Sequence, residues 1–133
     1  MEECMLDTDV LSAFLRGNAN VASHVKNYLE HFSYLNLSVI TYYEILNGLM
    51  SKSAYKQIQR FEEFVGLNRV IPLSSKMARE AATVHSVLKN SGLPIGHTDT
   101  LIAGIAIVSD FRLITNNIKH FERVEGLRIA NWM

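Results

Sequence analysis

Cys4 is the only cysteine in this chain. No internal disulfide can brace the fold, and a reducing compartment suits it. Two prolines among 133 residues leave no room for a proline-rich disordered tract. No apolar run approaches the roughly 20 residues that a membrane-spanning helix needs. Net charge is nil, with 13 basic residues against 13 acidic ones. That excludes a protein that coats nucleic acid through a broad basic field. It leaves room for an enzyme that holds a few nucleotides beside a metal, because the metal supplies positive charge locally. Met1-Glu2-Glu3 is acidic where a secretion leader would be positive, so the cytoplasm is the expected location. There is no linker, internal repeat or low-complexity tract. The expectation is one domain over residues 1–133, whose 48% hydrophobic content fills an ordinary globular core.

What the chain does have is an alternation of short apolar runs and helical patterns. Residues 3–7 read as a strand and 8–16 as a short helix closed at Gly17-Asn18. Val21, Val25, Tyr28, Leu29 and Phe32 recur at helical spacing across 18–32. Tyr34 to Val39 is a second strand-like run, after which Thr41 opens a helix bearing Ile45, Leu46 and Leu49. Tyr55, Ile58, Phe61 and Val65 mark a helix over 53–67, and Arg69 to Leu73 a strand. Met77, Ala81, Val84 and Leu88 give a helix from Ser74 to the Asn90-Ser91-Gly92 stop. Thr98 or Asp99 starts a helix with Leu101, Ile102, Ile105 and Val108. Arg112 to Thr115 is a strand, and Leu127 to Ile129 a last one. Such alternation implies a three-layer α/β/α fold around a central, mostly parallel sheet of four or five strands.

Three acids fall at telling places, each with a structural explanation of its own. Asp7 ends the first strand and fits an N-cap. Thr41-x-x-Glu44 fits a capping box. Asp99 lies in a helix's first turn, where the macrodipole favours negative charge. Together they carry a second meaning. The C-terminal ends of parallel strands share one edge, where ligands bind, and all three acids belong at that edge. Asn116 and Asn117 follow strand 112–115 to the same place. Clustered carboxylates repel, and a hard divalent cation such as Mg²⁺ or Mn²⁺ is the usual remedy. A metal held there lowers the pKa of a water and clamps a phosphate, so the chemistry indicated is metal-assisted hydrolysis of a phosphate ester.

Nothing else competes for this role. His24, His31, His85, His97 and His120 show no close ligand spacing. Cys4 lies inside the first strand and reads as core. Gly92 to Gly96 lacks the Lys-Ser/Thr continuation of a phosphate-binding loop.

These residues resemble the PIN-domain ribonucleases, and among them the small VapC-type toxins of type II toxin–antitoxin pairs. Met5-Leu6-Asp7-Thr8-Asp9 is similar to the opening motif of that family, and Leu37 to Gly48, with Glu44, to the second. His97-Thr98-Asp99-Thr100-Leu101-Ile102-Ala103-Gly104 is similar to the third. Leu113 to Asn117, followed by His120 to Leu127, is similar to the C-terminal signature. The resemblance implies a Mg²⁺- or Mn²⁺-dependent endoribonuclease acting on RNA (tRNA among the candidates), a homodimer, and a cognate antitoxin that occludes the site. It puts Asp7, Glu44 and Asp99 in the place of the three core acids, with Thr115 as a hydroxyl lining the site and Asn117 beside it. Many PIN domains carry a further aspartate near Asn117, or an acid at the position of His120. This chain has neither, and the count of metals, one or two, stays open. Asp9 and Asn116 are further donors in reach, Asp9 either as an extra carboxylate or as a bond within its loop. Arg16, Lys119 and Arg123 are candidate phosphate contacts.

Three other readings stand beside this one. In a haloacid-dehalogenase-like phosphatase Asp7 is the covalent nucleophile and Asp9 the general acid, but Glu44 has no work. A receiver domain needs an acid at the end of its central strand, and Arg69 to Leu73 ends without one. In a non-catalytic binding domain the acids are caps only, and the helices 18–32 and 53–67 form a groove for a partner.

Overall fold

The computed structural model describes residues 1–133. Five strands alternate with seven helices: β1 Cys4–Leu6, α1 Thr8–Leu15, α2 Ala19–Leu29, β2 Asn36–Ser38, α3 Val39–Ser51, α4 Tyr55–Gly66, β3 Arg69–Ile71, α5 Ser75–Asn90, α6 His97–Ser109, β4 Arg112–Ile114, α7 Ile118–Phe121 and β5 Ile129–Ala130. The strands form one sheet in the order β3-β2-β1-β4-β5. All four pairings are parallel, so the expected "mostly parallel" sheet is parallel throughout. β1 is central. Leu6 lies opposite Leu37 on one side and opposite Ile114 on the other.

The strands are three residues long or shorter, β1 and β2 buried throughout and β3, β4 and β5 partly so, and their side chains divide with a period of two. Cys4, Leu6, Leu37 and Ile114 point into one core, shared with Val10 and Leu11 of α1, Val21 and Tyr28 of α2, and Phe61 of α4. Met5, Ile71 and Leu113 point into the other, shared with Val84 of α5 and with Ile102 and Ile105 of α6. Two cores on opposite faces of one sheet are what makes three layers.

α6 is apolar nearly all round: Ile102, Ala103, Gly104, Ile105 and Ala106 are all buried. It sits between the sheet and α5. Gly104 sets how near α5 comes. A Cβ at this position would stand 2.6 Å from the Met77 carbonyl oxygen and 2.9 Å from the Ala81 amide nitrogen. Both are backbone atoms and cannot swing aside. Gly104→Ala gains helix propensity of about 1 kcal/mol, yet forcing the helices apart costs about 1–3 kcal/mol. The expected result is net destabilisation, read as a lower urea midpoint. A raised midpoint would show that the two helices slide without cost.

Several boundaries differ from the sequence reading. Thr41 does not open α3, and the Thr41/Glu44 capping box does not form. Ser38 is the N-cap, its hydroxyl accepting the Thr41 backbone N–H at 3.0 Å. The β-branched Val39 and Ile40 look like strand, but Ile40 packs against the second core as part of α3, and burial outweighs propensity. α6 starts at His97 behind Gly96, earlier than Thr98 or Asp99. The last strand is Ile129–Ala130, two residues beyond the expected start at Leu127. The one-turn helix α7 was not expected at all. Gly17 closes α1 with φ +86°, as the Gly-Asn pair suggested, while Asn18 caps α2 by accepting the Val21 N–H at 3.1 Å.

Candidate active site

From β1 the chain order of the strands runs one way through β2 to β3 and the other way through β4 to β5. The order therefore reverses between β1 and β4. Past the carboxyl ends of such a pair the loops diverge and leave a crevice. Asp7 and Thr115 are the first residues beyond β1 and β4, and both face this crevice's floor.

Asp7 is held from three directions. Its N–H donates to the Ile114 carbonyl at 2.8 Å. One carboxylate oxygen accepts the Thr8 N–H at 2.9 Å, and the other accepts the Thr115 hydroxyl at 2.7 Å. It is 5% exposed, and no Lys or Arg pairs with it: every Lys or Arg ion pair in the structure involves Glu2, Glu3 or Asp110. Burial pushes its pKa up to about 7, helped by the negative charges of Asp9 and Asp99 and opposed by the hydrogen bonds from Thr115 and Thr8. A carboxyl half-protonated at neutral pH beside other acids has a standing demand for positive charge.

Glu44 reaches the same edge from α3. The Thr8 hydroxyl donates to it at 2.7 Å. The Thr8 and Thr41 hydroxyl oxygens are 2.9 Å apart. Thr8 has one hydroxyl proton, already given to Glu44, so Thr41 is the donor in that second bond. Thr41 is fully buried, and the relay Thr41 to Thr8 to Glu44 fixes the carboxylate against α1. Nothing in one sequence marks Thr8 as Glu44's partner, since the two are 36 residues apart.

Asp99 comes from the first turn of α6. His120 Nδ1 lies 3.3 Å from its Oδ2 and 2.8 Å from Asn117 Nδ2. One imidazole nitrogen either accepts from the amide or donates to the carboxylate, so Asn117 and Asp99 compete for it. The Asn117 N–H donates to the Thr115 hydroxyl oxygen at 2.9 Å. Asp9 spends both oxygens on backbone, accepting the Val10 N–H at 2.7 Å and the Asn116 N–H at 3.1 Å. Asn116 in turn accepts from Asn131 at 3.0 Å. Asp9 thus joins the β1–α1 turn to the loop after β4.

The structure therefore links Asp7 to Thr115 and Asn117, Asn117 through His120 to Asp99, and Glu44 to Thr8 beside Asp7. It does not draw any three of the acidic, imidazole and thiol groups tightly enough to share one ion directly. The donors are all oxygens, which suits a hard cation that retains most of its waters and needs only one or two carboxylates. Cys4 stands apart in the core, where burial pushes its thiol up to about 11.

The family model described as PIN domain matches residues 4–127. The tRNA(fMet)-specific endonuclease VapC of Salmonella typhimurium is 28% identical, over 99% of this chain and 99% of that protein. Ribonuclease VapC1 of Methanocaldococcus jannaschii is 30% identical, over 94% and 85%. Among solved structures, that of VapBC2 from Rickettsia felis bound to a DNA fragment from their promoter superposes with a TM-score of 0.89 at 26% identity, covering 97% of this chain and 98% of that one.

Proposed function

The chain belongs to the PIN-domain family and is an endoribonuclease of the VapC toxin kind, and from that premise we propose that it cuts RNA with a divalent cation, Mg²⁺ or Mn²⁺, held among Asp7, Glu44 and Asp99, by one or two of these carboxylates directly and by the rest through the waters the ion keeps. The domain spans residues 1–133. Its partner is the antitoxin of a toxin–antitoxin pair, and we take the working form to be a cytoplasmic homodimer. No helix is long and apolar enough to cross a membrane. The Salmonella relative's name makes tRNA the first substrate class to try.

The observation that carries this reading is Asp7, buried at the sheet's switch point among acids and with no basic side chain to balance it. When bound, the cation supplies a water of lowered pKa and neutralises phosphate charge. The protein's own residues do the rest. Asp7, relieved of its proton, is kept aimed by Thr115 and the Thr8 N–H. Thr8 and Thr41 hold Glu44 in one orientation. Thr115, fully buried, ties Asp7 to the backbone N–H of Asn117 and so fixes the loop after β4 against the acid. The reaction is hydrolysis: a water oxygen adds to phosphorus and one ester P–O bond breaks. In the phosphatase alternative Asp9 is the general acid, but both its oxygens are occupied in accepting backbone N–H groups of its own turn and of the loop after β4.

An end-labelled RNA incubated with the pure protein should be cut internally with Mg²⁺ or Mn²⁺ and left intact with a chelator. Cutting at full rate in the chelator would overturn the metal reading. Calorimetry adds a second check: Glu44→Gln and Asp99→Asn should each weaken Mn²⁺ binding by about tenfold or more. Unchanged affinity in both would reduce Glu44 to a hydrogen-bond partner of Thr8.

A further inference from the structure

A groove of about 360 Å³ runs from Thr8 and Glu44 between α1, α3 and the middle of α4 to the C-terminal ends of α1 and α3. Three cations line it. Arg16 caps the C-terminus of α1, Lys52 caps that of α3, and Arg60 projects from α4. All three are exposed, and none is part of any ion pair in the structure. Glu44 is the groove's only acid, and it sits at the end that meets the crevice. Each cap position alone is explained by the helix dipole. The convergence of three helices on one groove is not, in a chain whose net charge is zero.

We infer that Arg16, Lys52 and Arg60 form a rail for the phosphates of single-stranded RNA flanking the bond to be cut, leading the strand to Glu44 and Asp7. A groove of fixed positive charge that tracks a backbone binds single strands without reading sequence. Exposed Leu15 and half-buried Leu49 line it as well, giving the strand's sugars and bases an apolar surface to lie against. RNA is the occupant favoured here because the groove reaches Glu44 and Thr8, the neighbour of Asp7, so a strand bound at those acids can continue along the three cations. This inference rests on the ribonuclease reading.

The test is fluorescence anisotropy with an end-labelled, mixed-sequence single-stranded RNA of about 12 nucleotides. Asp7→Asn is the background, so that the probe stays whole. Affinity is followed from about 50 to 300 mM salt. Each phosphate contact contributes about 0.7 to the salt slope for a single strand. Arg16→Gln, Lys52→Gln and Arg60→Gln combined should flatten the slope by about 2 and weaken binding about tenfold or more at the lowest salt. The charge-keeping pair Arg16→Lys and Arg60→Lys should retain the slope. A matched triple on α5, Lys76→Gln, Arg79→Gln and Lys89→Gln, should leave it unchanged. An unchanged slope in the groove triple, or equal flattening by the α5 triple, overturns the rail. So does a groove triple that keeps RNA binding but loses a labelled polyglutamate peptide, since that assigns the groove to an acidic protein partner. If the wild type cuts RNA and the slope is unmoved, the rail alone fails. If the wild type cuts none with Mn²⁺ present, while the slope still flattens, the RNA groove stands and the ribonuclease reading falls.

Discussion

Asp7→Asn is expected to cut the rate of RNA cleavage by about 10³-fold, equivalent to about 4 kcal/mol of transition-state stabilisation. The argument is one of charge at nearly constant shape. Asn keeps the volume, and its carbonyl oxygen can still accept from Thr8 or Thr115. What it lacks is the negative charge that draws a cation to the switch point. The measurement is single-turnover cleavage of a labelled RNA with Mg²⁺, alongside a circular dichroism spectrum to show that the fold is kept. A variant that cuts at the wild-type rate would remove Asp7 from the site. The companion Thr115 loses little, because its hydroxyl can still meet the Asn117 N–H.

The same substitution should make the metal-free protein more stable at alkaline pH. Folded, Asp7 holds its proton up to about pH 7, whereas the ordinary value is 3.8. Between those limits the native chain binds the extra proton, and raising the pH favours the unfolded chain. Asp7's favourable contribution is therefore complete below about pH 4 and gone above about pH 7. From pH 5 to pH 8, wild type should lose about 2–3 kcal/mol relative to Asp7→Asn. Urea unfolding of both proteins in chelator, at several pH values, gives that difference directly and cancels the histidines common to both. A difference that stays flat with pH would mean that Asp7 titrates as an ordinary carboxylate. Adding a divalent cation should restore wild type preferentially, because ligand binding to the folded form alone is stabilising. The residue that would serve catalysis is thus one that the bare fold would be steadier without.

Much of this arrangement was legible in the sequence, for identifiable reasons. The apolar run Met5-Leu6 ending on Asp7 reads as a buried strand delivering an acid, and it is one. Asp99 in the first turn of a helix that returns to the sheet edge needs only parallel topology to be placed. Glu44 belongs at that edge because it lies one helical turn past the second strand, and the structure has it there, but the capping box offered as its structural explanation does not form. Its partner is the Thr8 hydroxyl, a contact between elements, whereas the Thr41 cap was a local guess. Local patterns reveal caps and faces, but they do not reveal which hydroxyl meets which carboxylate across 36 residues. The sequence offers Asp9 two roles and does not choose between them, because its bond to the Asn116 N–H depends on where the loop after β4 comes to rest. The groove cations were invisible as a group, because Arg16, Lys52 and Arg60 share no spacing. Of the three, the sequence singles out only Arg16, and together with Lys119 and Arg123, which do not line the groove.

The bond from Thr115 to Asp7 joins residues 108 apart in the chain, and the central strand β1 pairs with β4 across a similar span. Contacts so distant in sequence form late and slowly. During synthesis Asp7 leaves the ribosome 108 residues ahead of Thr115 and waits that long for its partner. An unfinished polypeptide has β1, α1 and Glu44 but neither Asp99 nor Thr115, so it cannot assemble the crevice. The proposed site therefore comes together only after residues from both ends of this 108-residue span have been made, and its assembly is tied to completion of the sheet rather than to any local segment.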